Sequence, residues 1–256
     1  MIYIWRLWKM GRFWIIKNIF KVHILFYITA FFMAVTGHFK LFTSIFFIIF
    51  IHEMGHLFMA LLLKWKIDKV IILPFGAVTI FNEDINKPIK EEFLIAFFGP
   101  LFQIIYTFLN PNILEYSLFL LIFNLLPIFP LDGSKFLNLF LNLFISFKKS
   151  HLLSLIISFI CIFVILSFFR FNIFCVFVML FIFLKTLDEY LNHRCLFNKF
   201  LYERLNNNYG FKKTKIIKGK NVFLMRRDYK HIFYDKIYKT EREILKERFD
   251  FNRKLW

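Results

Sequence analysis

Cysteine is scarce in this chain of 256 residues, which contains only three. Cys161, Cys175 and Cys195 lack the paired spacing that is typical of metal-binding motifs. Two of them lie in apolar runs, where a thiol packs as a small hydrophobic group. We therefore expect neither a disulfide nor a cysteine-based metal site.

Acidic residues are also in short supply. The chain has 34 Lys and Arg against 17 Asp and Glu, which gives a formal net charge of +17. Basic residues concentrate in the cytoplasmic loops of membrane proteins, where they contact anionic lipid. The basic tail would also suit nucleic acid, but no RNA- or DNA-binding signature accompanies the charge. We expect anionic lipid as a partner and no nucleic acid.

The N-terminal stretch lacks the small-residue cleavage site of a secretory signal. It is basic and aromatic, and Trp5, Trp8 and Trp14 suit the depth of the lipid headgroups. Residues 1–21 are therefore predicted to form a basic interfacial segment.

Long apolar runs are what the chain has in abundance. Hydrophobic residues make up 59% of it, and the mean hydropathy is +0.60. Several runs approach the length of about 20 residues that a bilayer requires. The predicted fold is an α-helical polytopic membrane protein of about six transmembrane helices, with a short membrane-dipping hairpin and a small basic cytoplasmic tail. The predicted spans are residues 22–37, 42–63, 93–109, 114–133, 152–169 and 171–191.

The loops predict how this six-span domain, residues 22–191, is oriented. Lys and Arg are frequent in the N-terminal segment, in the 64–92 connection and after the fourth span, whereas the opposite loops hold few. Because positive charge marks the cytoplasmic side, both termini are predicted to be cytoplasmic.

The 64–92 connection is more than a plain linker. It contains "VIILPFGAVTIF", an apolar stretch with β-branched residues on both sides of Pro74 and Gly76. This pattern favours a hairpin over residues 66–80 that dips to membrane depth, where irregular backbone is tolerated only inside protein or beside a wet cavity. A surface loop with some hydrophobic residues is the alternative.

Composition changes after residue 191. Residues 192–256 are mostly polar and strongly basic, and no further span follows. This cytoplasmic tail is long enough for a small αβ module, although its own core would be thin. Its last segment, "DKIYKTEREILKERFDFNRKLW", predicts an amphipathic helix with opposite charges four residues apart.

The motif "HEMGH" lies inside the second predicted span. A helix advances about 100° per residue, so His52 and His56 share one face, with Glu53 beside them. This is the H-E-x-x-H pattern of zinc hydrolases, in which two histidines bind the metal and the glutamate is the general base. Ionisable groups are costly in a membrane, so a chance occurrence is unattractive here.

Two imidazoles cannot complete a catalytic zinc site, which needs three protein ligands and an open position. Asp132, in "NLLPIFPLDGSK", is the strongest candidate for the third ligand. Asp188 and Glu189, near the end of the sixth span, are weaker candidates. Taken alone, Asp132 would suit a turn or a helix cap, because Asp-Gly is a common turn pair.

Taken together, the motifs resemble the site-2 protease family of intramembrane zinc metalloproteases. The resemblance rests on "HEMGH" followed by "NLLPIFPLDG", together with "LPFGAVT" and "KPIKEEFLIAFFGPLFQ", and it covers residues 22–205. It implies that His52, His56 and Asp132 bind Zn²⁺ and that Glu53 is the catalytic base.

The resemblance also implies where substrate binds. Asn124, Pro127 and Pro130 match the family's N-x-x-P-x-x-P-L-D-G element, which accommodates substrate. The prolines interrupt helical hydrogen bonding, and Asn124 could donate to a substrate carbonyl, with packing between helices as its alternative role. Phe75 and Gly76 are further candidates, because the hairpin could hold an unwound substrate by strand addition.

Within this family the chain most resembles the branch that acts in bacterial sporulation. That branch implies regulated proteolysis of a membrane-associated substrate, the precursor of a mother-cell sigma factor, in the outer forespore membrane. Inhibitory or regulatory membrane proteins are implied as partners, and homo-oligomerisation is an open alternative. The short tail departs from the nucleotide-sensing CBS domain of that branch and is expected to be a reduced CBS-like module at most. A PDZ insertion, which marks the envelope-stress branch, has no room.

Two other functions remain to be distinguished. A metal transporter could use the same His and Asp cluster, and it would not require Glu53 as a base. A catalytically silent scaffold could bind nucleic acid or a sigma factor through its tail, although the intact motifs argue against it. The protease hypothesis predicts a zinc metalloendopeptidase.

Overall fold

The computed structural model describes a chain of helices with two small sheets. It covers residues 20–22, 24–73, 76–81, 84–168 and 173–253. The helices are α1 (Ile24–Val35), α2 (Phe39–Leu62), α3 (Ile89–Leu109), α4 (Leu114–Asn124), α5 (Asp132–Phe144), α6 (Phe147–Phe168), α7 (Ile173–Asn206) and α8 (Glu241–Arg253). The strands are β1 (Phe20–Val22), β2 (Ile67–Leu73), β3 (Gly76–Phe81), β4 (Lys213–Lys218), β5 (Tyr229–Asp235) and β6 (Ile237–Thr240). Single 3₁₀ turns lie at Pro111–Ile113 and Val222–Leu224.

Within the described ranges, three helices are long and apolar enough to cross a bilayer. These are α2, α3 and α6, with 24, 21 and 22 residues. The apolar part of α1, Phe26–Val35, is shorter. The prediction of a helical membrane protein is thus supported for three of the six spans, and the total of six stays a prediction.

The fourth predicted span, residues 114–133, is not one continuous helix. α4 ends at Asn124 and α5 begins at Asp132. The backbone between them is held by side chains of two other helices: Phe129 N–H donates to the Ser158 hydroxyl at 3.0 Å, and the Thr186 hydroxyl donates to the Phe129 carbonyl at 2.9 Å. These contacts replace the helical hydrogen bonds that the two prolines of this segment interrupt.

The chain forms two compact units, neither of which is continuous in sequence. The first consists of residues 1–83 and 94–121, and the second of residues 84–93 and 122–256. α3 therefore contributes its first turn to the second unit and its remainder to the first. The predicted boundary at residue 191 falls inside α7, so the predicted division into domains stays a prediction.

The first unit contains the predicted hairpin. β1 pairs parallel with β2, and β2 pairs antiparallel with β3, with Leu73 opposite Gly76 at the turn. A small core of Ala60, Trp65 and Ile95 packs nearby. Phe75 lies outside the described residues, as does nearly all of the predicted N-terminal segment.

The second unit contains the C-terminal sheet, in which β4 pairs parallel with β5 and β5 pairs antiparallel with β6. The Phe147 ring stacks on Phe200, with ring centroids 4.4 Å apart, so α6 and the end of α7 share one core with this sheet. The buried core residues are Phe147, Phe197, Phe200, Leu201, Ile217, Val222, Met225, Phe233, Ile244 and Leu245.

A buried arginine connects the parts of the second unit. The Arg204 guanidinium donates to Asn86 Oδ1 at 2.6 Å and to Glu241 Oε1 at 3.0 Å. It also donates to the carbonyl oxygens of Arg226 and Tyr229, at 2.7 and 2.9 Å. Arginine suits this role because its planar fork offers five donors.

The residues just before and within the first turn of α3 are held by further polar contacts. Glu203 accepts hydrogen bonds from the Asn86 backbone and side chain, at 3.3 and 3.0 Å. Arg227 pairs with Glu92 at 2.6 Å, and Asp228 accepts from the Ile89 N–H at 3.1 Å. An acidic side chain at a helix N-terminus satisfies an otherwise orphaned amide and complements the helix dipole.

Two further residues contact Arg204, and burial and neighbouring groups determine their charge states. Burial lowers the pKa of His231, so its ring is neutral near pH 7, and its Nε2 accepts from Arg226 N–H at 3.0 Å. Burial by itself would raise the pKa of Glu241, but hydrogen bonding from His231 and the Arg204 charge bring that pKa below its usual value. Glu241 is therefore ionised and pairs with Arg204 as an ion pair.

We expect the substitution Arg204→Met to loosen the second unit. Removing one partner of a buried ion pair leaves the other charge uncompensated, at a cost of about 3–5 kcal/mol. Hydrogen exchange measured by mass spectrometry should then accelerate in β5 and around Asn86 by on the order of 100-fold or more.

The matched control is Lys220→Met on the same unit. Lys220 pairs with Glu247 at 3.4 Å, and both side chains are about half exposed. Such a surface pair contributes at most about 1 kcal/mol, so exchange should barely change. Equal acceleration in both variants would contradict the role assigned to Arg204.

Candidate metal centre

The two histidines of "HEMGH" lie on one face of α2, as their spacing predicts. His52 and His56 are buried and Glu53 is half-buried. The Nε2 atoms of the two imidazoles lie 3.1 Å apart. A helix that is apolar along its length thus places two nitrogen ligands side by side.

A side-chain amide orients His52. The Nδ1 atom of His52 lies 2.8 Å from Gln103 Oε1. The amide nitrogen of Gln103 donates to the Ser117 carbonyl at 2.8 Å and to the Ser117 hydroxyl at 3.2 Å. Because a carbonyl only accepts, the Gln103 nitrogen faces Ser117 and its oxygen faces His52.

A backbone carbonyl orients His56. Its Nδ1 atom lies 2.8 Å from the Ile95 carbonyl oxygen. That oxygen can only accept, so Nδ1 carries the proton. Metal-binding histidines characteristically donate their second ring N–H to a carbonyl or a carboxylate.

In neutral rings, these contacts leave both Nε2 atoms with lone pairs rather than protons. Two lone pairs 3.1 Å apart cannot form a hydrogen bond with each other. A cation resolves this conflict, and zinc binds imidazole nitrogen at about 2.0–2.1 Å, which allows both nitrogens to reach one ion. The residues therefore fit Zn²⁺.

Two glycines let α2 and α3 approach closely at this site. A Cβ on Gly55 would lie 2.2 Å from the Phe98 carbonyl oxygen. A Cβ on Gly99 would lie 2.3 Å from Cε1 and Nε2 of His56. Such distances are far inside van der Waals contact, so only glycine fits at either position.

Asp132 lies in the second unit, as the first residue of α5. It is buried, and its carboxylate pairs with Lys135 at 2.9 Å. The residue at the N-cap is Leu131, so Asp132 is part of the helix rather than of an Asp-Gly turn. Gly133 allows this start, because a Cβ there would lie 2.1 Å from the Leu125 carbonyl oxygen. His52, His56 and Asp132 are each buried and each offer one ligand atom.

The two weaker candidates have other partners. Glu189 Oε1 lies 3.4 Å from His151 Nε2. Asp188 accepts a hydrogen bond from the Asn192 side chain at 3.1 Å. Neither is needed to account for the metal ligands.

The predicted substrate residues are only partly described. Asn124 is the last residue of α4 and is half-buried, and Pro127 and Pro130 follow in the irregular segment. Gly76 begins β3. Their roles in substrate binding stay predictions.

Sequence reasoning missed the groups that orient the imidazoles. Gln103 is a polar residue within the apolar run of the third predicted span, and that contrast was a usable signal. The Ile95 carbonyl left no signal, because every residue has one. Gly99, inside the quoted "FFGPLFQ", was not linked to the histidines.

Comparison with known proteins supports zinc as the metal. Residues 40–114, which contain both histidines, Gly99 and Gln103, match the model of peptidase family M50. Stage IV sporulation protein FB of Bacillus subtilis is 37% identical over 137 residues, which cover 47% of this chain and 48% of that protein. A zinc metalloprotease of Methanocaldococcus jannaschii is 34% identical over 115 residues, which cover 38% of this chain and 33% of that protein.

A solved structure also matches. The site-2 protease from Methanocaldococcus jannaschii aligns with a TM-score of 0.52 and 25% sequence identity, over 66% of this chain and 89% of that one. The chain spans less than half the length of each curated relative. These matches confirm the resemblance that the motifs predict, to the site-2 protease family of zinc metalloproteases.

Proposed function

We propose that this chain is a zinc metalloendopeptidase of the site-2 protease type, which cleaves peptide bonds within or beside a membrane. One observation carries the proposal: two buried imidazoles on one helix face present their Nε2 atoms 3.1 Å apart, and each has its Nδ1 held by an acceptor. A buried pair of this kind suits a metal far better than it suits packing.

His52, His56 and Asp132 would hold the metal. Asp132 is supported by its burial and by its place as the first residue of α5. Zinc held by these residues supplies a Lewis acid that polarises a carbonyl and makes water acidic near neutral pH.

Glu53 performs the proton transfers. It follows His52 directly on α2 and is half-buried. As general base it takes a proton from the attacking water, and as general acid it passes that proton to the leaving amine. Asn124 donates its amide hydrogen to the substrate carbonyl, where negative charge develops.

Substrate is bound in an extended form. Peptide bonds in a helix are shielded, so a membrane helix must unwind before cleavage. β3 is an edge of the sheet β1-β2-β3 in the part of the chain that is described, which favours strand addition there. Phe75 and Gly76, together with the segment between Pro127 and Pro130, would then contact the extended substrate.

The biological substrate is a membrane-associated protein, the precursor of a mother-cell sigma factor. Support comes from the similarity to stage IV sporulation protein FB, whose name places that relative in sporulation. On this proposal the chain is a multi-pass protein of the outer forespore membrane, with both termini cytoplasmic. Inhibitory membrane proteins regulate it, and anionic lipid contacts its basic face.

The test uses the purified full chain in phospholipid vesicles, with a candidate sigma-factor precursor and a count of bound zinc. We expect about one zinc per chain, cleavage that a chelator stops, and recovery when zinc is returned. Asp132→Ala should lose both zinc and cleavage, because two imidazoles alone hold the metal weakly.

Asp188→Ala is the matched control, since it removes a carboxylate that pairs with Asn192 instead. It should bind zinc and cleave as the unmodified chain does. Zinc bound without cleavage, together with zinc flux into the vesicles, would instead support a transporter.

A further inference from the structure

We infer that Gln103 is a positioning residue: anchored by Ser117, it fixes His52 in the tautomer that presents Nε2 to the metal. The inference rests on the proposed function and deepens it. It concerns a step before catalysis, namely how the His52 ring is oriented to bind zinc.

The three residues of this contact are buried, so their polar atoms need hydrogen-bond partners within the protein. His52 and Ser117 are each 2% exposed, and Gln103 is 1% exposed. Water cannot readily satisfy polar atoms at this depth, so each must find its partner within the protein. Gln103 meets this demand on both sides of its amide.

Ser117, Gln103 and His52 form a chain of hydrogen bonds, called the relay below. The Ser117 carbonyl determines which groups in this chain donate and which accept. The Ser117 carbonyl has no proton, so it must receive one from the Gln103 amide nitrogen at 2.8 Å. The amide oxygen is thereby turned towards His52, and an amide oxygen can only accept. His52 Nδ1, 2.8 Å away, must then be the donor, and the lone pair is on Nε2.

A threonine one turn along α3 stiffens the relay. The Thr107 hydroxyl donates to the Gln103 carbonyl at 2.8 Å and lies 2.5 Å from the Ser117 hydroxyl. Thr107 is also buried. Helices α3 and α4 are thus tied together at the residue that supports His52, which limits rotation of the Gln103 side chain.

A purely structural role for Gln103 would be to join helices, as buried amides often do in membranes. The two roles differ in their consequences. If the amide only joins helices, its loss weakens packing but does not change which nitrogen of His52 carries the proton. If it positions His52, its loss allows the proton to move to Nε2 and lowers the affinity for zinc.

The experiment measures the zinc dissociation constant of the full chain by competition with a chelator. Gln103→Leu should weaken zinc binding by on the order of 10–100-fold, as is typical when the partner of a metal-binding histidine is lost. Gln103→Glu should restore affinity to within a few-fold, because a protonated carboxyl group can donate to the Ser117 carbonyl with one oxygen and accept from Nδ1 with the other. Zinc affinity in Gln103→Leu equal to that of the unmodified chain would overturn the inference.

The matched control is Asn110→Leu. It exchanges the same chemical groups just beyond α3, where the Asn110 side chain is exposed and donates to the Tyr106 carbonyl at 3.1 Å. Zinc affinity should stay unchanged in this variant. An equal loss in both variants would show a general effect of removing an amide and would overturn the inference.

A second measurement does not depend on any variant folding. The chain, labelled with ¹⁵N histidine and freed of zinc, should show His52 with its proton on Nδ1, since ¹⁵N shifts distinguish the two tautomers. A proton on Nε2 would overturn the inference. A chain that shows the expected tautomer and binds zinc, yet cleaves no substrate, would overturn the proposed function and leave this inference standing.

Discussion

The substitution Glu53→Gln should slow peptide cleavage by about 100-fold or more while zinc stays bound. Gln has the size of Glu but cannot accept a proton at neutral pH, so the attacking water loses its base. A general acid–base residue contributes about 10²–10⁴-fold to the rate, and the variant should lose a factor in this range. Because Glu53 is not among the predicted ligands, the zinc content should remain about one per chain.

The measurement compares initial cleavage rates in vesicles with zinc counted on the same samples. Glu115→Gln is the control, because it makes the same change in the first turn of α4, where the side chain is exposed. That variant should cleave at the normal rate. Cleavage that persists at the normal rate in Glu53→Gln with zinc retained would contradict the assignment of Glu53 as the base.

The positions of the two imidazoles were predictable because they depend on local geometry alone. A spacing of four residues fixes a shared helix face whatever surrounds the helix. The role of Glu53 as the base is predicted by the H-E-x-x-H pattern rather than by geometry, and it stays a prediction. Asp132 was different, since its candidacy came from a second motif and from the need for a third ligand.

The partners of the imidazoles could not be predicted in this way. His52 contacts Gln103, which is 51 residues away in sequence, and His56 contacts the Ile95 carbonyl, 39 residues away. Such pairs depend on how α2 and α3 are packed and in which register. That packing depends on Gly55 and Gly99, whose missing side chains leave no apolar or polar pattern to detect.

The end of α7 shows that hydropathy predicts where an apolar span ends but not where its helix ends. The last predicted span ends at residue 191, but the helix continues to Asn206. Hydropathy detects where a segment stops being apolar on all sides, not where helical hydrogen bonds stop. Beyond that point Phe197, Phe200 and Leu201 recur at intervals of three and four, so one face still packs into a core.

α3 carries contacts that matter to both compact units. Its first turn is capped by Asp228 and paired through Glu92 with Arg227, all within the second unit. Later along the same helix, the Ile95 carbonyl and Gln103 hold the imidazoles within the first unit. A single helix therefore supplies the orienting groups for both histidines, and its register is a requirement of the metal centre.

The most direct test of that register is Gly99→Ala. A Cβ at this position would lie 2.3 Å from Cε1 and Nε2 of His56, so either the ring or the helix must move. The ring cannot move without stretching its hydrogen bond to the Ile95 carbonyl, which is 2.8 Å long. Zinc affinity should therefore fall by at least the 10–100-fold that is typical of losing a ligand's supporting contact.

A loss of zinc affinity in Gly99→Ala cannot be explained by a less stable helix. Alanine is more favourable than glycine in a helix interior by about 1 kcal/mol, so α3 itself should not be weakened by the substitution. Gly210→Ala is the control, because a Cβ there meets no atom within 4 Å. A chelator competition should show normal zinc affinity for Gly210→Ala and a clear loss for Gly99→Ala. Normal affinity in both variants would mean that His56 does not bind the metal in the position described, since a methyl group and a metal ion cannot both contact Nε2 there.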